Sequence, residues 1–115
     1  MTDFKAGDIV VVPFPFSDLK TTKKRPALVL ASIPSRSLPP LIVVAMITSQ
    51  LESESIPGDY KILKWKESGL LHPSKVRLAK VVSLEEDLLV KRLGTLQKED
   101  REGVRLKFKE LFSDL

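Results

Sequence analysis

Lys23-Lys24-Arg25 runs straight into Pro26 and the β-forming apolar stretch Ala27-Leu28-Val29-Leu30. A guanidinium carries a fixed fork of donors and a permanent charge, which suits it to phosphate oxygens. Pro26 has a fixed φ and no N–H, so it belongs at the first residue of a strand or on an edge. It also pushes Arg25 towards extended backbone. Arg25 is then displayed where a loop meets a rigid strand, a common place for binding and catalytic groups. A cluster of solvated surface cations would leave the same trace, and these residues alone do not separate the two. Thr48-Ser49-Gln50 sets three hydrogen-bonding side chains at the end of another apolar run. Turn capping explains them as well as site chemistry does. The lone His72 precedes Pro73 in a loop, where an incidental role competes with acid–base work.

These groups need strands to hold them, and the chain supplies short ones. Gly7-Asp8 reads as a turn before Ile9–Val12, a β-branched run continued by Pro13-Phe14-Pro15-Phe16. So short a run, bounded by Gly and Pro, suits a strand buried on both sides. A polar loop from Ser17 to Lys24 follows, then strands over Ala27–Ile33 and Leu41–Ile47, separated by the loop Pro34–Pro40. Leu51–Gly58 is an acidic loop, and Asp59–Leu63 a short strand. Lys64–Leu70 reads as an extended tail or one helical turn stopped by Gly69. Ser74–Ser83 alternates, which turns Val76 and Leu78 inwards and leaves Lys75, Arg77 and Lys80 on an outer or groove face. Ser83–Asp87 reads as a turn or 3₁₀ segment, and Leu88–Leu96 as a last strand. Beyond Lys98 the period changes. Val104, Phe108, Leu111 and Phe112 share one face of an amphipathic helix, with acidic residues near its start and lysines further along. Gly103 weakens that helix slightly.

Five or six close-set strands and one C-terminal helix predict a small antiparallel barrel with the helix packed on it. The spacing leaves no room for βαβ crossovers. With 115 residues, no repeat and no linker, residues 1–115 form one domain. A hydrophobic share of 43% with 30% charged residues is ordinary globular composition. No run of about eighteen apolar residues occurs and no basic-then-apolar leader, so a soluble, cytoplasmic chain is expected. The absence of cysteine excludes disulfides and thiolate metal sites, and one histidine excludes an imidazole-rich zinc site. No metal or other cofactor is therefore expected. A net charge of +4 weakly favours an anionic partner.

Five fragments occur in order: Gly7-Asp8-Ile9-Val10, Arg25-Pro26-Ala27-Leu28-Val29, Thr48-Ser49, Ser68-Gly69-Leu70 with Ser74-x-Val76, and Gly94-x-Leu96. Together they resemble the MazF/PemK toxins of type II toxin–antitoxin modules, from about Phe4 to the C-terminal helix. The resemblance implies a mainly β fold with α, a small SH3-like antiparallel barrel of the MazF/CcdB type with a C-terminal helix, and a homodimer. It also implies a metal-independent endoribonuclease that cuts single-stranded RNA and is neutralised by an antitoxin. The family's catalytic pair, the arginine of the RP motif and the hydroxyl residue after the third strand, falls on Arg25 and Thr48. Such enzymes use the RNA's own 2′-OH as nucleophile and leave a 2′,3′-cyclic phosphate and a 5′-OH. Arg25 then stabilises charge on the phosphorane. Thr48, a poor base, positions the reacting groups and donates to an oxygen.

The sequence departs from the family at its proton-transfer groups. Ser74-Lys75-Val76-Arg77-Leu78-Ala79-Lys80-Val81 has no carboxylate where some members carry one, and Asp18 is the nearest acid in the first loop. The general base is left unassigned. Lys23, Lys24, Lys75, Arg77 and Lys80 are candidates for a phosphate groove, against the alternative of solvated strand-face charges. Trp65, and less so Phe16, are candidates for stacking on bases. Ser49 and Gln50 are candidates for base selection. The expected partners are single-stranded RNA, an acidic, partly disordered antitoxin, and a second copy of the chain meeting through the first loop, the third strand and the Ser74 segment. The competing reading is a non-catalytic RNA-binding module or a gyrase-poison-type toxin on the same fold.

Overall fold

The structure is a computed structural model that describes residues 3–14 and 23–115. Asp18 and Phe16, named above, lie outside the described residues, as does most of the first loop. Six strands follow one another: β1 (Asp8–Phe14), β2 (Lys23–Ile33), β3 (Leu41–Thr48), β4 (Asp59–Lys61), β5 (Lys75–Glu85) and β6 (Lys91–Thr95). A 3₁₀ turn at Glu86–Leu88 separates β5 from β6, and α1 (Lys98–Leu111) ends the fold. The strands form one sheet in the order β4-β5-β3-β2-β1-β6. All its pairings are antiparallel.

The uninterrupted apolar runs become strands covered on both faces. Along β1, Ile9 enters one core cluster while Val10 and Val12 enter another; Leu28 opposes Ala27 and Val29 in the same way on β2. The first cluster joins Ile47, Val76 and Leu78 to Val104 of α1, and the second joins Val44 and Ile42 to Leu89.

Two local departures follow from the ladder. β2 begins at Lys23, so Pro26 lies inside the strand rather than opening it. It pairs with Val11 on β1, whereas the ladder to β3 starts only at Ala27 with Met46. At position 26 the sheet thus has a partner on one side alone, which is where a missing N–H is tolerated. In β5 the register against β3 jumps from Val81–Ala45 to Arg77–Met46. That bulge interrupts the alternation expected for the strand. Residues 75–78 are all buried, Lys75 and Arg77 included, and of the three cations only Lys80 is exposed. The open face expected for Lys75 and Arg77 is covered by β4 and the loop before it.

The ladder does not close on itself among the described residues. Instead, the turn after β4 crosses to β6. Its amides of Gly69 and Leu70 donate to the carbonyls of Lys66 and Trp65, and Gly69 has φ 92°. This is a Schellman stop, with the Leu70–Trp65 contact that usually accompanies it. Gly69 lies directly against Gly94 of β6, so close that a methyl on either would overlap the other segment's backbone.

Candidate active site

A cavity of about 750 Å³ opens where β1 and β3 end and β2 and β6 begin. Lys23, Arg25 and Pro26 of β2 line it, with Met46, Ile47 and Thr48 of β3, Val11 of β1, and Lys91 and Leu93 of β6. The opposite wall is the segment Gly69–His72 with Ser74, and Ser49 and Gln50 form a shoulder. Arg25 lies two residues before Ala27 and Thr48 two after its ladder partner Met46, and both line the cavity at this end of the sheet. Lys23 shares the face of Arg25 because side chains alternate along a strand, and Lys24 takes the other face.

Thr48 is half-buried, and its Oγ1 accepts the Gln50 N–H at 3.1 Å. The turn-capping role foreseen for this hydroxyl is therefore real. It also defines the chemistry, because a hydroxyl whose oxygen is occupied as an acceptor offers its proton as a donor. Ser74 is buried, and its Oγ donates to the His72 carbonyl at 2.8 Å. With Pro73 restricting the residue before it, that bond fixes the backbone that presents the exposed His72 side chain. Lys23, Arg25 and Lys91 give the cavity positive charge, and none of its lining residues is a carboxylate among those described.

Arg77 stands elsewhere. Together with Lys75 it faces Asp59, whose Oδ2 lies 3.2 Å from Lys75 Nζ and 3.8 Å from the Arg77 guanidinium. Arg77 also donates to Ser53 Oγ at 2.6 Å and to the Glu54 carbonyl at 3.1 Å, and Lys75 to the Ser53 carbonyl at 3.2 Å. Ser53 Oγ in turn donates to the Gln50 carbonyl at 2.7 Å. These two cations tie down the loop that carries Ser49 and Gln50. Trp65 is half-buried against the first core cluster, with Lys66 Nζ 5.7 Å from its ring centroid. Neither Trp65, Lys24 nor Arg77 lines the cavity.

The far wall is braced from α1. Asp100, fully buried, accepts the Tyr60 hydroxyl at 2.6 Å and the Leu63 and Lys64 amides at 2.9 Å each. Burial, and then that hydrogen bond, push the Tyr60 hydroxyl well above its ordinary pKa. Gly103 leaves room for the Tyr60 ring, which a methyl there would strike. On the surface Lys64 pairs with Glu99 at 2.8 Å, an attraction that holds the ammonium above its usual pKa and the carboxylate below.

Lys91 and the bracing carboxylates Asp59 and Asp100 escape a reading by motif. Lys91 reaches the cavity only because β6 pairs with β1, a pairing with no local signature. A separate apolar channel runs between α1 and the sheet, lined by Leu30, Val43, Val81, Phe108 and Phe112 among others. Phe108 and Phe112, expected on the buried face of the helix, are 42% and 43% exposed there. Among the described residues no group of His, Cys, Asp and Glu side chains is placed to hold a metal ion. Among the described residues no helix is long and apolar enough to cross a membrane.

Comparison with known proteins places this geometry. No curated protein sequence matches the chain. The solved structure of the Mycobacterium tuberculosis toxin MazF-mt6 is similar, with a TM-score of 0.69 at 19% identity over 92% of this chain and 96% of that one. So is an endoribonuclease in complex with its cognate antitoxin from a mycobacterial species, with a TM-score of 0.68 at 15% identity over 95% and 94%. The MazE–MazF structure from Deinococcus radiodurans gives 0.62 at 20% identity over 93% and 92%. These likenesses show the shared fold. The model of the PemK-like, MazF-like toxins of type II toxin–antitoxin systems matches residues 5–112, nearly the whole chain. The chain belongs to that toxin family.

Proposed function

We propose that the chain is an endoribonuclease toxin that cleaves single-stranded RNA without a metal, through the RNA's own 2′-OH. The observation that carries this reading is the meeting of Arg25 and Thr48 in one cation-lined cavity. In-line attack of the 2′-oxygen on phosphorus breaks the bond to the 5′-oxygen and gives a 2′,3′-cyclic phosphate and a 5′-OH. Charge builds on the non-bridging oxygens during the attack. The Arg25 guanidinium and the Thr48 O–H donate to them, the kind of stabilisation that often dominates such catalysis. Lys23 and Ser49, on the same walls, contact the neighbouring phosphate and base. Arg77 acts behind the site by holding the Gln50–Glu54 loop, and Lys24 and Trp65 stay outside the reacting centre.

Cleavage of a labelled single-stranded RNA in EDTA tests the reading. The native chain should cut it and leave cyclic phosphate ends. Arg25→Ala and Thr48→Ala should each lose about 10²-fold or more, the usual effect of removing one such donor. RNA that is bound but left whole across many sequences would move the assignment to a non-catalytic binder.

Family membership also brings two protein partners, a second copy of the chain and an acidic antitoxin. Of the segments expected at the dimer contact, the third strand reaches the open apolar channel beside α1 through Val43, while Ser74 is buried. The open apolar channel beside α1 is the better surface for a copy. Sedimentation at micromolar concentration should give a dimer; a monomer there would remove this part of the reading.

A further inference from the structure

We infer that His72 is the general base of the cleavage. The inference rests on the ribonuclease reading above and deepens it. The attack needs a group to take the 2′-O–H proton, and the sequence offers no carboxylate between Ser74 and Val81 for the task. Among the described residues lining the cavity, the groups that hold a proton reversibly in water are His72, Lys23 and Lys91. Two of these are lysines, whose ammonium groups present donors and no acceptor. An imidazole changes charge near neutral pH and is the commonest side chain for this work.

Placement supports the same residue. His72 lines the main cavity and also a second depression formed by Ser49–Ser53 and Pro73. Ser49, Gln50 and His72 are the wall the two share. A strand with one base in each hollow carries its connecting phosphodiester across that wall, past the imidazole. The presenting backbone is fixed by Pro73 and by the Ser74 hydroxyl, while the ring itself faces solvent. Its charged surroundings are Lys23 and Arg25 from β2, Lys91 from β6 and Glu52 from the loop after β3. In the step, a ring nitrogen of neutral His72 takes the 2′-O–H proton as the 2′-oxygen bonds to phosphorus. The electron pair of the P–O5′ bond leaves with the 5′-oxygen, which takes a proton from solvent water. The imidazolium then returns its proton to solvent.

Single-turnover cleavage of one labelled RNA in EDTA, measured across about pH 5 to 8, tests this. RNA binding is followed separately by filter retention. The native rate should rise with pH and level off, because only the neutral imidazole accepts. In His72→Ala the rate should fall by about 10²-fold or more with binding unchanged, and the pH-dependent limb should vanish. Added imidazole should restore part of the rate. The ring is exposed and the Ser74 bond goes to the backbone, so the variant keeps the fold. A His72→Ala chain that cuts at the native rate, or keeps the limb, overturns the inference while the ribonuclease reading stands. So does loss of binding in parallel with rate, or a limb that vanishes in Asp18→Asn instead. A native chain that cuts no RNA overturns both.

Discussion

Asp100 is a carboxylate without solvent contact that accepts three hydrogen bonds from a neighbouring strand and turn. Its cost appears on the partner. The Tyr60 hydroxyl is both sheltered and held by an anion, so the folded chain keeps its proton at a pH where the unfolded chain, near the ordinary value of about 10, releases it. Above that pH the unfolded state binds fewer protons, and stability falls as pH rises; below it the contribution is whole. The urea midpoint should therefore drop as pH rises above about 10, and the drop should shrink in Tyr60→Phe, which itself costs about 1 kcal/mol. Tyr60 is the only tyrosine, so ultraviolet difference absorption of the tyrosinate reads the same titration directly. A tyrosinate that forms at the ordinary pH would overturn the argument. At this scale the sequence marked Arg25, Lys23, Thr48 and Ser49, because a proline-fixed strand end and a polar strand exit are local signals. It could not mark Asp100 or Asp59, which look like any surface acid until their donors are folded around them.

Strands read well where burial on both faces made them continuous, as in β1, β2 and β3. The helix read well from its period, and the stop at Gly69 from its glycine. β5 read badly. Its polar–apolar alternation implied a free cationic face, but the bulge after Arg77 changes the phase, and Asp59 on β4 meets Arg77 directly across the ladder. The close backbone approach of Gly69 to Gly94 could not be read from the sequence, which showed the two glycines only as a turn signal and as separate motif fragments. It gives a prediction whose sign is unusual. Alanine normally stabilises a strand relative to glycine, by about 0.5–1 kcal/mol. In Gly94→Ala the new methyl meets the Ser68 carbonyl, and overpacking of that kind costs about 1–3 kcal/mol. A urea midpoint equal to the native one would show that the two segments part without loss. Because Gly69 also lines the cavity, the same variant should slow RNA cleavage.

Across the molecule, the charge of +4 says little until it is located. Lys75 and Arg77 are turned inward on Asp59, whereas Lys23, Arg25 and Lys91 gather at one end of the sheet. Composition excluded thiolate chemistry, and the spacing of strands and helix pointed to the class of fold; neither could say which cations share a cavity, since that depends on strand order. The two walls described here are held by bonds internal to the protein, one through Asp59, Lys75 and Arg77, the other through Asp100 and the glycine contact. On the proposed reading, RNA would meet walls already in place and lose little ordering entropy on binding. The same rigidity limits how the toxin is silenced. Walls that are formed in advance leave an inhibitor little to distort, and an antitoxin would act on them by occupancy, in direct competition with RNA for the cations.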